Sequence, residues 1–152
     1  QPAQALFRAS HDQWQVDACP HHGPDMEYMD GKLFLTWFSQ GDAQSGLMYA
    51  SYNPQSNRFS ATQSLDASPQ ASHPQIAGNG KQLFQVWKRF DGEKTLILSR
   101  VSSDQGQSWS KDKVLTQTAG SSDHPMLIRT QQKVYLSWLS ADEGYQLLAL
   151  EY

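Results

Sequence analysis

Apolar residues in this chain fall in short runs that alternate with polar positions and are cut by Gly, Asn, Asp and Pro. The period is two rather than 3.6, which predicts strands and not helices. Leu33-Phe34-Leu35-Thr36-Trp37, Leu83-Phe84-Gln85-Val86-Trp87 and Val134-Tyr135-Leu136-Ser137-Trp138 each predict an aromatic-rich strand. A turn precedes each one (Asp30-Gly31, Asn79-Gly80, Gln131-Gln132), and a shorter apolar segment behind a proline precedes the turn. Third strands are predicted over 46–50, 95–98 and 145–150, and fourth strands over 58–60 and 113–115. No helical periodicity survives beyond a turn or two. The chain is predicted all-β.

These elements repeat. The prolines before the first strands are Pro24, Pro74 and Pro125, and the tryptophans closing the second strands are Trp37, Trp87 and Trp138; both series advance by 50 and then 51. Four antiparallel strands at that period are the pattern of a β-propeller blade. The repeat divides the chain into the end of a preceding blade (1–17), a blade (18–67), a second blade (68–118) and a final incomplete blade (119–152). Strands at 5–8 and 14–17 are expected for the first of these. About three blades cannot close a ring, since propellers need roughly four to eight. Two expectations follow: a homodimer completes the ring, or the chain is the carboxyl-terminal half of a propeller whose other half is another chain or was cut away.

Composition narrows the class. Apolar residues make up 38% and charged residues 18%, with five Trp, six Tyr and six Phe, so aromatics carry much of the burial of a globular domain. A net charge of −3 supplies no basic field for nucleic acid or anionic lipid. No apolar run is long enough to span a bilayer, and the opening residues carry no signal-peptide pattern. Cys19 is the one cysteine, which excludes a disulfide within the chain.

The most specific motif is Ser102-Ser103-Asp104-Gln105-Gly106-Gln107-Ser108-Trp109. Asp104 can accept backbone N–H bonds across the turn, Gly106 supplies a positive φ, Ser102 and Ser108 add short bonds, and Trp109 drops into the blade core. The octapeptide resembles the Asp-box, or BNR repeat, of sialidase-like propellers at every defining position. Weaker copies are expected from Ser51 through Phe59 and over Ser10-His11-Asp12-Gln13-Trp14. The resemblance implies half of a six-bladed ring, with boxes on the face opposite the ligand site; His11 is then expected on that opposite face. It names a scaffold rather than an activity.

Loops leading into innermost strands should open on the ligand face. They hold Cys19-Pro20-His21-His22, Ser72-His73-Pro74 and Asp123-His124-Pro125. Around a common axis Cys19, His21, His22, His73 and His124 would converge, a donor set suited to zinc or copper, with Met26 or Met126 as a thioether for copper. The plainer expectation is that each histidine caps its own loop on a backbone carbonyl. Asp17, Asp25 and Glu27 flank the Cys-His loop and are candidates for general acid or base.

Active members of the resembled family use an arginine triad, a Tyr–Glu pair and an early acid. Here Arg8 and Arg100 read as blade structure, the early motif is absent, and Tyr145 beside Glu143 is the one late Tyr–Glu pair. The Cys-Pro-His-His-Gly-Pro loop also resembles one in bacterial secreted sialidase-like proteins, which implies a periplasmic or extracellular location. The expected function is a non-hydrolytic module binding a metal, a glycan or a partner chain. The alternative is the carboxyl-terminal half of an exo-sialidase-like glycoside hydrolase with its main catalytic residues elsewhere.

Overall fold

A computed structural model describes residues 8–14 and 23–151. Among these residues there is no helix, and twelve strands form three antiparallel sheets. The first sheet contains β1 (Asp25–Met29), β2 (Lys32–Gln40), β3 (Ser45–Asn53) and β4 (Arg58–Phe59) in that order, with β5 (Gln63–Asp66) also paired to β3. The second runs β6 (Ala71–Gly78), β7 (Leu83–Phe90), β8 (Thr95–Ser102), β9 (Lys113–Thr118), and the third β10 (Met126–Arg129), β11 (Val134–Ser140), β12 (Gly144–Ala149). The expected second and third strands therefore form in all three repeats.

The fourth strand of the first repeat differs from expectation: it is split into β4 and β5, with a register shift opposite Leu47 and Met48. β6 also begins before its proline. A register shift between Ser72 and Gln75 lets Pro74, which has no N–H to give, sit within a paired strand. His73 takes up the irregularity at φ 52. The strands expected at 5–8 and 14–17 fall mostly outside the described residues.

The sheets stack through alternate side chains. Met29, Phe34 and Tyr49 of the first sheet pack on Ile76 and Leu83 of the second, and Leu47 and Leu65 pack on Trp87, Leu96 and Leu98. The other face of the second sheet, with Phe84, Val86, Ile97 and Val101, packs on Val134, Leu136, Trp138 and Leu150 of the third. Both faces of β7 are covered, which is why Leu83 to Trp87 is buried without interruption.

First strands lie beside one another, with β6 packed against β1 on one side and β10 on the other. The Asp25 carboxylate accepts the Ile76 N–H at 2.8 Å, and the Gln75 side-chain oxygen accepts the Leu127 N–H at 3.4 Å. Gln75 is the repeat counterpart of Asp25, and Leu127 that of Ile76, so one latch is used twice at the same pitch. Glu27 adds a further tie, accepting Gly78 N–H at 2.9 Å and Arg129 at 2.7 Å.

The Ser102–Trp109 turn between β8 and β9 is closed by its own side chains. Asp104 accepts the Ser102 hydroxyl, the Gln107 and Ser108 amides and the Ser108 hydroxyl, while the Ser102 hydroxyl accepts the Gly106 amide. Gly106 has φ 77, and a Cβ on it would collide with the Tyr49 phenol of the first sheet. Trp109 meets Tyr49 edge to face at 5.2 Å, so this turn also fastens one sheet to the next.

The weaker copies read differently from expectation. The Ser60 N–H donates to the Ser51 carbonyl and the Ser60 hydroxyl oxygen accepts the Ser51 N–H, the same pair of bonds that Ser110 makes with Val101. Phe59 thus corresponds to Trp109, but Ser51 corresponds to Val101, and Tyr52 takes the box serine's place. Asn53 still caps its turn through the Gln55 and Ser56 amides. Near the amino end, Ser10 donates to Asp12 as a box serine would, yet Asp12 also receives the Trp37 indole and lies against the β2–β3 hairpin at Gly41 and Ala43. That hairpin is at the end of the sheet opposite the β1–β2 turn, so His11 does not lie at the end that carries the Asp-box.

Candidate functional site

The irregular start of β6 and the loop before β10 place two histidines from successive repeats in contact. The His73 and His124 rings are stacked, with centroids 3.5 Å apart and planes 11° from parallel. The prolines that follow them, Pro74 and Pro125, are both buried. The 121–125 segment is pinned to the third sheet, with Asp123 N–H bonded to Leu139 O and Ala141 N–H to Ser121 O. The Asp123 carbonyl accepts both Lys88 Nζ at 3.3 Å and the Trp138 indole at 3.1 Å, and Lys88 also donates to Ser122 O. Burial lowers the Lys88 pKa, against an opposing pull from the Asp123 carboxylate. A cation from the second sheet therefore ties the His124 loop in place beside His73.

Stacking limits what this pair can hold as it stands. Nitrogen lone pairs lie in their ring planes, and the planes are parallel. An ion shared equally would sit nearly as far out of each ring as the roughly 2 Å metal–nitrogen bond is long. Chelation by both rings requires one to turn, and His124, the exposed one, is free of the packing that holds a core rotamer. Among the described residues, no group of three or more His, Cys, Asp or Glu is placed to hold a metal. Cys19, His21, His22 and Asp17, the remaining members of the expected cluster, lie outside the described residues.

Asp25 and Glu27 are on β1, but their oxygens serve the neighbouring backbone. Asp25 takes Ile76 and Met26 N–H groups, and burial nevertheless raises its pKa. Glu27 is buried between Gly78 N–H and the Arg129 guanidinium. Sequence reasoning named both as candidates for general acid or base; their bonds to the next sheet's backbone, at a 51-residue offset, were not foreseen. Met26 and Met126 are both exposed.

Two further arginines are similarly engaged. Arg89 pairs with Asp66, which also receives the Trp87 indole. Arg100 pairs with Asp112, lies over the Trp87 ring and donates to Leu65 O. Tyr145 is in β12 and shares a bond with Ser137, whereas Glu143 in the preceding turn accepts from Ser140. A separate open cavity of roughly 520 Å³ lies among Met29, Gly78, Asn79, Gly80, Arg129, Thr130 and Gln131, at the opposite end of the first strands from the histidines. No helix among the described residues is long and apolar enough to cross a membrane. No protein-family model matches the chain, and no curated protein matches it significantly.

Proposed function

We propose that the chain is a non-hydrolytic, sialidase-like β-propeller module, acting at the cell exterior or in the periplasm, whose binding end is built around His73 and His124. The carrying observation is the stack itself: two imidazoles 51 residues apart, at the same place in their repeats, meet face to face. The twice-used latch between first strands supports a radial arrangement. By repeat position in the sequence, Cys19, His21 and His22, which lie outside the described residues, are assigned to the same end. Rotation of the His124 ring then opens a nitrogen-and-thiolate donor set suited to zinc or copper.

The test is metal analysis of protein purified without chelator, followed by zinc and copper titration. Wild type should hold close to one ion, Cys19→Ser should bind more weakly, and the double variant His73→Ala/His124→Ala should hold none. Equal metal content in wild type and the double variant, or none in either, overturns the metal-binding reading.

A further inference from the structure

The two ends of the sheet stack are unfinished in complementary ways. On the third sheet, the face turned away from the second exposes Met126, Ile128, Leu139, Tyr145 and Leu147. Within the three strands this face carries no charged side chain, and the Lys133–Glu151 ion pair borders it at one end; a contiguous apolar surface of this kind marks a contact. Its counterparts in the other sheets identify the contact. Tyr135 and Ser137 of this face correspond to Phe84 and Val86 in the second sheet and to Phe34 and Thr36 in the first. In both cases that is the face on which the next sheet lies.

The opposite end shows the matching deficit. On β1, Met26 and Tyr28 are 60% and 63% exposed. Their repeat counterparts Ile76 and Gly78 are buried beneath the preceding sheet, and Leu127 packs against the second sheet's core. One chain thus carries the two apolar halves of a junction that it already makes twice internally, with Met126 standing where Asp25 and Gln75 supply the latch acceptor.

We infer that a second copy of this chain completes the stack. The exposed face of the third sheet in one copy receives Met26 and Tyr28 of the other, twice over about a twofold axis. Each junction joins unlike ends, and the two junctions related by the twofold axis make one isologous interface that closes with two copies rather than running on as a filament. This inference rests on the radial arrangement proposed above and names the partner that completes it.

The experiment is the solution mass of the chain by sedimentation equilibrium, alone and with substitutions at each end. Wild type should weigh twice one chain. Leu147→Glu, on the third-sheet face, and Tyr28→Glu, on β1, should each raise the dimer dissociation constant at least about tenfold. An equimolar mixture of the two variants should recover dimer, since one of its two junctions is intact. Both positions are more than half exposed, so neither change buries a charge in the monomer; if either variant melts without cooperativity, Met126→Lys or Met26→Lys takes its place.

A doubled mass that only Leu147→Glu disrupts overturns the end-to-end junction and shows the third sheet pairing with itself. A monomeric wild type overturns the second copy as occupant. Metal content of that same monomer, read against the His73→Ala/His124→Ala variant, separates failure of the dimer from failure of the binding end.

Discussion

Glu27 of the first sheet holds Arg129 of the third at 2.7 Å, a bond that passes over the sheet between them. The same carboxylate takes the buried Gly78 N–H, so its two oxygens join three sheets. The partners are unequal: the Glu27 side chain is 9% exposed and that of Arg129 53%. Removing Arg129 loses a solvent-screened ion pair, about 0.5–1 kcal/mol. Removing Glu27 also orphans a buried N–H, for a total of about 2–3 kcal/mol. Urea melts of Arg129→Ala and Glu27→Ala should show that order; equal losses would mean that the bond to Gly78 contributes nothing.

Gly106 and Tyr49 form a second coupled pair. Gly106→Ala puts a Cβ at a positive φ and into the phenol oxygen, and should cost at least about 1–2 kcal/mol. The Tyr49 hydroxyl is buried and has no partner among the described residues, and burial raises its pKa. Tyr49→Phe should therefore be neutral or slightly stabilising. Combined with Gly106→Ala it should recover part of the loss, giving a coupling energy of about 0.5 kcal/mol or more in a double-mutant cycle. Strict additivity would contradict the close approach.

Gln85 is wholly buried between the first and second sheets, and neither its oxygen nor its nitrogen has a partner among the described residues. Its repeat counterparts are Leu35 and Leu136. Gln85→Leu should raise stability by about 1–2 kcal/mol, because it removes an uncompensated buried amide and adds apolar contact. A lower urea midpoint for Gln85→Leu would show that the amide is satisfied in solution.

The Asp-box sets a pH window. Bonds from the Ser108 hydroxyl, the Ser108 amide and the Ser102 hydroxyl hold Asp104 down at about 2, against an ordinary value of 3.8. A depressed carboxyl stabilises the fold above its unfolded value, and that contribution fades as pH falls from the unfolded toward the folded value. The gap in melting temperature between wild type and Asp104→Asn should be constant near neutrality, shrink below about pH 4 and vanish near pH 2. Asp25 has the opposite sign. Its raised pKa means that protonation favours the folded state, so Asp25→Asn should remove a slope that partly offsets that of Asp104. A gap for Asp104→Asn that persists unchanged at pH 2 would rule out the carboxylate as its source.

Much of the strand pattern was legible because its markers are local. The prolines and tryptophans recur at fixed offsets, and Asp104-Gln105-Gly106 needs nothing beyond its own turn to be recognised. What escaped was register. Ser51 invites alignment with Ser102 by identity, whereas the Ser60–Ser51 bonds make it the equivalent of Val101. Splitting of the last strand into β4 and β5 left no mark in the hydrophobic alternation. At the candidate site, equal repeat position foretold that His73 and His124 would approach, because a repeated fold converts offset into proximity. It did not foretell parallel rings, nor that Lys88 would tie down the His124 loop by bonding carbonyls, since backbone acceptors carry no residue signature.

The Asp25–Ile76 and Gln75–Leu127 latches have a consequence for how such proteins lengthen or shorten over evolution. The first and second units offer a side-chain acceptor forward and the second and third a main-chain donor backward, so duplicating either of the first two reproduces a compatible joint without any new side chain being selected, whereas Met126 stands at the acceptor's place in the third. Gain or loss of a whole repeat is then tolerated more readily than a single insertion within a first strand, which would shift donor and acceptor out of phase along the entire seam.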